Sequence, residues 1–341
     1  MKLSPLSGVR PVLICGDGVA AYCCAHLLSQ AGIPFLLDRP SRPRLPAIMV
    51  SEGAIKLIAE IFGREDLFRE LPRVQTRVVL WGSAGQAHTL PHSAVVVSEE
   101  TLLDSIRPQS AENDSVLDPQ WTIFASRPLS VGCTEQRFGS RVARAFSVTL
   151  NSDALGCWVE STPDGWLFLV GSGSGEGWLL AVGDADAARS RLIGKQIRDI
   201  AQSRGKFPAF PRIVDPLAGM NAAGDGWLAC GTAALAFDPI CGDGTAHAVR
   251  EGILAAAVIR AIHDGADADK VLTHYESRLI VGFQRHLTNC VAFYLTGGNG
   301  AWWHTELNSI ERGISWCKEK MSTFPEFRYR LNGQVLEPAL A

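Results

Sequence analysis

The strongest constraint on this chain lies between Pro11 and Asp38. An apolar run, Pro11 to Cys15 (PVLIC), opens onto Gly16-Asp17-Gly18-Val19-Ala20-Ala21; a helical pattern then runs from Val19 to Ala31, and a second strand, Ile33 to Leu37, ends in Asp38. A short apolar run of this kind fits a central parallel strand. Val19, Tyr22, Cys23, Ala25, His26, Leu27 and Ala31 keep the spacing of a helix packed on a sheet, and Gly32 can supply its left-handed cap. In this setting Gly16 makes a tight turn, Gly18 lets the backbone approach a diphosphate, and Ala21 allows close helix-strand packing. Val19 and Ala20 open the helix whose positive end holds the anion. Asp38, followed by Arg39, stands where a carboxylate accepts the adenosine ribose hydroxyls. The segment therefore predicts an α/β unit that binds a dinucleotide.

Length and composition are compatible with that unit plus others. The 341 residues, 47% of them hydrophobic, can bury a substantial core in one large or two medium domains. A formal net charge of -3 supplies no basic field for phosphate backbones or anionic lipid, so nucleic acid and membrane are not expected partners. Met1 to Arg10 lacks the pattern of a secretory leader, and no apolar run approaches the ~20 residues of a membrane span; a cytoplasmic protein is expected. The nine cysteines include no CxxC pair and no Cys/His zinc spacing, which predicts reduced buried thiols and no metal site.

Both NAD and FAD contain adenosine diphosphate, so the first motif alone does not choose between them. A second segment bears on the choice. Trp227 to Cys230 reads as a strand, followed by Gly231-Thr232-Ala233-Ala234, then Phe237-Asp238-Pro239-Ile240-Cys241-Gly242-Asp243-Gly244, then a helix from Thr245 to His263. This resembles the second FAD motif of the aromatic hydroxylase and flavin-dependent halogenase superfamily: strand, GDAA-like turn, and DPxxGxG opening a helix. The resemblance implies FAD as cofactor. It places Asp238, Gly242, Asp243, Gly244 and Thr245 at the flavin, where the helix start favours negative charge on the reduced ring. Two positions depart from the family. Thr232 replaces the usual aspartate of the ribityl contact, and Glu99 stands about where an arginine commonly contacts the flavin chain.

Between the two motifs, Arg141 to Gly183 reads as an antiparallel meander, with Gly171 to Gly177 (GSGSGEG) as a hairpin turn and not a second nucleotide loop. No separate NADPH domain is expected. In the superfamily such a sheet covers the substrate. The chain is expected to enter it near Val74 to Trp81 and leave it before a helix at about Ala185 to Arg204, with Trp166 and Phe168 either near the substrate space or packing between layers. Beyond Asp267, Tyr275, Leu279, Phe283, His286, Leu287, Cys290, Phe293 and Tyr294 keep helical spacing; two helices flank Gly297 to Trp303, and a tail follows Met321. The expected architecture is α/β: a Rossmann-like FAD-binding domain (1–72, 94–132 and 205–266), an inserted antiparallel substrate domain (73–93 and 133–204), and a C-terminal helical segment (267–341).

The stretch HYESRLIVGFQRHLTNCVAFYLTGGNGAWWHTEL, with RFGSRVARAF upstream, narrows the likeness. It is similar to the halogenase-like flavoproteins required for cysteine tryptophylquinone biogenesis in lysine and glycine oxidases. That resemblance implies an FAD-dependent monooxygenase using molecular oxygen and an electron donor left open, with a tryptophan of a precursor protein of an amino-acid oxidase as substrate. A halogenase is the second reading. Against it, the family's WxWxIP survives only as Trp166-Leu167-Phe168-Leu169-Val170-Gly171, and no lysine lies between Val74 and Gly82. A third reading is a flavin-binding partner protein without turnover. No catalytic residue is assigned: His88 and His92 read as loop histidines near a substrate edge, and Cys241 reads as packing.

Overall fold

The computed structural model describes residues 10–83, 85–108, 118–129, 132–201, 203, 205–325 and 329–339. The expectation made for Met1 to Arg10 thus concerns, apart from Arg10, residues outside the described set. The chain opens with β1 (Val12–Cys15), α1 (Val19–Gln30) and β2 (Phe35–Asp38). It continues through β3 (Ile48–Ser51), α2 (Glu52–Phe62), β4 (Arg73–Leu80), β5 (His88–Val97), α3 (Glu99–Ser105) and β6 (Trp121–Phe124). Next come β7 (Thr134–Arg137), β8 (Val142–Leu150), β9 (Cys157–Thr162), β10 (Gly165–Gly171), β11 (Glu176–Gly183), β12 (Ile197–Ile200) and β13 (Lys206–Pro208). The second half holds β14 (Arg212–Asp215), β15 (Ala218–Met220), β16 (Gly226–Ala229), α4 (Gly231–Ala234), β17 (Leu235–Ala236), α5 (Gly244–His263), α6 (Ala268–Gly297) and α7 (Ala301–Ser322). The hairpin β18 (Tyr329–Asn332) and β19 (Val335–Pro338) closes it.

A five-stranded sheet in the order β15-β16-β6-β1-β2 carries the expected nucleotide-binding unit. β16, β6, β1 and β2 run parallel, and only the edge strand β15 is antiparallel. With β1 in the interior, Ile14 is fully buried. α1 and α5 lie against each other: the Cys23 and Cys24 thiols donate to the Val249 and Gly252 carbonyls at 3.6 and 3.5 Å. Gly252 permits this approach, since a Cβ there would come within 2.8 Å of Cys23 Cβ and 2.9 Å of the Ala20 carbonyl oxygen.

The larger sheet runs β12-β8-β11-β10-β9-β4-β5-β3, with β13 also on β8. β9, β10 and β11 form the expected meander, and Ser172 N–H to Glu176 O at 2.9 Å closes the Gly171 to Gly177 hairpin. β8, however, joins the far side of β11, so the first strand in sequence is not the neighbour of the second. The expected helix at Ala185 to Arg204 is absent among the described residues, which exclude 202 and 204. Two 3-10 turns (Ala187–Arg189 and Ile193–Lys195) and β12 stand there instead. The reason is local: the buried Glu160 carboxylate accepts the amides of Arg191, Leu192 and Ile193 at 2.6, 3.0 and 2.9 Å, bonds that tie the segment down as turns. His88 and His92 belong to β5 and not to a loop. The expected tail after Met321 instead returns as the β18–β19 hairpin, whose Leu336 is 8% exposed and joins the core; residues 326–328 and 340–341 lie outside the described set. α6 and α7 flank Gly298 to Gly300 much as the sequence suggests.

Candidate functional site

The loops that leave β1, β6 and β16 meet at the carboxyl ends of parallel strands, where open α/β sheets bind ligands. Gly16 (φ 150) sits so close to the loop after β6 that a Cβ would be 3.1 Å from Ala125 Cβ. Gly231 (φ 54), after β16, would bring one within 2.9 Å of Ala20 Cβ. Gly18 is the N-cap of α1 and offers no side chain to its first turn, leaving the amides after it, at Val19 and Ala20, free of side-chain caps. Asp38 ends β2 exposed, and its carbonyl accepts the Gly16 amide at 2.8 Å. Arg39, also exposed, lies 5.6 Å from the Tyr22 ring centroid.

Two cations stand at this turn. Asp17, 2% exposed, bonds Arg42 Nε at 2.9 Å and Arg44 Nη1 at 2.8 Å. Arg42 also pairs with Glu99, which accepts the Leu45 amide at 2.9 Å. Burial works to raise the Glu99 carboxyl, yet the bonds from Arg42 and Leu45 hold it below its ordinary range. Glu99 therefore anchors a guanidinium whose Nη2 comes within 3.7 Å of a Cβ position on Gly18. Arg42 thus stands between Glu99 and the Gly18 turn.

Asp238 is 1% exposed, and its carboxylate is directed into the protein. It accepts from Arg141 Nε at 2.6 Å, Tyr294 hydroxyl at 2.8 Å and the Ile240 amide at 2.9 Å. Its own amide donates to His286 Nε2 at 2.8 Å. Arg141, whose side chain is fully buried, also pairs with Glu306 and lies 4.6 Å from the Tyr294 ring centroid. Asp238 is thus a positioning residue for the turn Pro239–Cys241 that Gly242 ends at φ 64. Beyond it, Asp243 caps α5 without a side-chain bond to the first-turn amides, its carboxylate going instead to Arg250 of the same helix at 3.1 Å. Gly244 and the half-buried Thr245 begin the helix, and a Cβ on Gly244 would meet nothing within 4 Å. Thr232 is exposed, and its carbonyl accepts Arg212 Nη2 at 2.9 Å.

A cavity of about 170 Å³ adjoins this turn, lined by Met49, Val159, Trp166, Phe168 and Leu180 together with Arg77 and Ile240. Trp166 and Phe168 belong to or pack against the core, as the packing reading expected, and they also line this cavity. Arg77, on β4, brings a guanidinium to this cavity. Its Nη2 lies 3.2 Å from His92 Nε2 and 3.9 Å from a Cβ position on Gly242, and its buried Nε has no hydrogen-bond partner among the described residues. Burial first, then the Arg77 charge, lower the His92 pKa, favouring a neutral imidazole. The alternation of TRVVL could have flagged Arg77, because position 77 of β4 faces the same side as Val79.

The structure also gathers Cys241, His286 and Cys290, with ligand-type atoms all within 4.8 Å of one another. Only the His286/Cys290 spacing of four residues on α6 hints at this in the sequence. Around the two glycine turns, the uncapped amides, the guanidinium at Gly18 and the open faces of Gly242 and Gly244 fit FAD: Gly16, Gly18, Val19, Ala20, Asp38 and Arg39 would hold its adenosine diphosphate half, and Gly242, Gly244 and Thr245 its ring.

No protein-family model matches the sequence, and no curated protein does. Solved structures do. The peptidyl tryptophan dihydroxylase QhpG, essential for tryptophylquinone cofactor biogenesis, superposes with a TM-score of 0.76 over 97% of this chain and 86% of its own at 16% identity. The myxobacterial chondrochloren halogenase CndH gives 0.73 over 94% and 91% at 14% identity. HpxO of Klebsiella pneumoniae (R204Q form), complexed with FAD, gives 0.60 over 93% and 99% at 16% identity. The chain has the fold of these flavin-dependent halogenases and monooxygenases, and among its described residues no helix is long and apolar enough to cross a membrane.

Proposed function

We propose that this protein is an FAD-dependent monooxygenase that oxygenates the indole ring of a tryptophan in a precursor protein, during maturation of a tryptophylquinone cofactor. The observation that carries the reading is the cavity at Gly242. At about 170 Å³ it is smaller than the roughly 300–1,000 Å³ of ordinary ligand sites and suits one aromatic side chain. Trp166, Phe168, Met49 and Ile240 supply apolar walls for such a ring. Arg77 supplies a cation against its electron-rich face, an attraction of about 1–2 kcal/mol when desolvated.

The bound flavin supplies the reaction with molecular oxygen. This chain's residues do the rest. Asp238, held by Arg141 and Tyr294, fixes the Pro239–Gly242 turn against the cavity, and the α5 start favours negative charge at the flavin. The apolar lining excludes water from the reacting ring. The likeness to QhpG, whose described substrate is a peptidyl tryptophan, supports the same substrate class here.

Halogenation is the second reading, favoured by the likeness to CndH. One experiment separates the two. The FAD-loaded protein is given a chemical reductant, oxygen, bromide and a tryptophan-containing precursor protein, and the tryptophan peptide is weighed. Addition of one or two oxygen atoms is expected. A bromine-bearing peptide establishes the halogenase, and an unmodified peptide despite oxygen uptake refutes both.

A further inference from the structure

We infer that Cys241 and Cys290 form a peroxide-oxidisable thiol pair, with Cys241 as the attacking sulfur and Cys290 as the resolving one. The inference is independent of the proposed substrate. The two Sγ atoms are 3.8 Å apart, and neither sulfur is in a disulfide. A bond of about 2.05 Å requires closure by roughly 2 Å. Cys241 lies on the shorter element, the last residue of a single 3-10 turn before Gly242, whereas Cys290 lies within α6, so the closure falls to the Cys241 side chain and the end of its turn beyond the Asp238 anchor.

The two thiols differ in the way a sequential reaction needs. Cys241 is partly exposed, whereas Cys290 is fully buried on α6. The hydrogen bond from Cys290 pulls the Cys241 pKa down to about 6, against the opposing effects of burial and Asp238. The Cys241 thiolate is therefore well populated at neutral pH, and thiolate is the nucleophilic form. Cys290 is pushed the other way, chiefly by donating to Cys241, so it holds its proton until Cys241 has reacted. Of the other groups around the pair, the Asp238 carboxylate is neutralised by Arg141, and Arg77 reaches the adjoining Gly242.

A metal ion is the competing occupant of a Cys/His/Cys cluster. Here the His286 Nε2 lone pair already accepts the Asp238 amide at 2.8 Å, a bond that coordination would have to break. A thiol pair keeps that bond. In the first step the Cys241 thiolate attacks one oxygen of hydrogen peroxide; the O–O bond breaks, giving a sulfenic acid and hydroxide. Next the Cys290 sulfur attacks the Cys241 sulfur, and the S–O bond breaks to release the oxygen as water with the Cys290 proton. In sum, two thiols and one peroxide give one disulfide and two waters. The product would tether the Pro239–Gly242 turn to α6.

The test treats the folded full-length protein with hydrogen peroxide, then counts free thiols and maps peptides by mass spectrometry. Wild type should lose two of its nine thiols and yield a Cys241–Cys290 cross-linked peptide. Cys290→Ser should stop at a sulfenic acid on Cys241, trapped by dimedone. Cys241→Ser should leave Cys290 unmodified. The idea is overturned if both thiols survive peroxide in the folded protein, if Cys290 reacts in Cys241→Ser, or if the purified protein carries stoichiometric zinc that shields them.

Discussion

Replacing Asp238 by alanine tests whether the buried charge network, and not direct contact with a cofactor, is what this residue contributes. The substitution removes three bonds to one carboxylate: from Arg141 Nε at 2.6 Å, Tyr294 at 2.8 Å and the Ile240 amide at 2.9 Å. Bonds to a charged group are worth about 1.5–3 kcal/mol each, but they share one acceptor and do not add. Arg141 also keeps Glu306, which limits the loss. A broken buried pair with one counter-ion remaining should therefore cost about 3–5 kcal/mol, a large share of the roughly 5–15 kcal/mol of a typical domain. Asp238→Asn retains hydrogen-bonding atoms and should fall short of that loss. Urea denaturation of the apoprotein measures the stability, and FAD titration at low denaturant measures the turn. Asp238→Ala should weaken FAD binding as well, because the Pro239–Gly242 turn loses its anchor. An alanine variant within ~1 kcal/mol of wild type would refute the network argument. A stability loss of the expected size with FAD affinity unchanged would keep the network but refute the anchoring of the turn.

Three further outcomes follow from the same packing. Glu251 is buried in α5, and burial raises its carboxyl to about 8 from an ordinary 4.5, with only the Gly231 amide opposing. Because the folded state retains a proton that the unfolded state has lost between those values, stability falls as pH rises through that window, by about 3 kcal/mol at pH 7. Glu251→Gln should flatten this slope, and equal pH dependence of the two proteins in urea would contradict it. Gly252→Val should drive α1 from α5 and cost about 1–3 kcal/mol in thermal or chemical unfolding, with a neutral result ruling out the close approach. Arg77→Met should raise KM for a tryptophan-containing precursor about tenfold while FAD affinity, measured by titration, stays within twofold; unchanged KM removes Arg77 from the substrate site.

The first glycine turn was legible in the sequence because its geometry is local. Gly16, Gly18, Ala21 and Asp38 follow one another along a single β-α-β path, where backbone sterics and hydrogen bonding fix the shape whatever packs around it. The same holds for the turn from Asp238 to Thr245 and for the strands from Cys157 to Gly183, which alternation and turn residues mark. Where the alternative to local propensity was a distant side chain, the sequence misled. Residues 185–204 read as a helix, but Glu160 on β9 takes their amides. The last residues read as a tail because a lone hairpin is marginal in water; packing against α5 and burial of Leu336 offset its entropy.

Tertiary structure alone decided the rest of the site. Glu99 is paired with Arg42, a residue 57 positions away that no local pattern links to it. The Asp238 carboxylate finds its partners in Arg141 and Tyr294, 97 and 56 residues away. Cys241, His286 and Cys290 looked like separate packing residues until α6 crossed the flavin-type turn. A sequence specifies which groups are present and how neighbours along the chain can bond. Charges and lone pairs act over a few ångströms of space, so their partners become known only when the chain has folded back on itself.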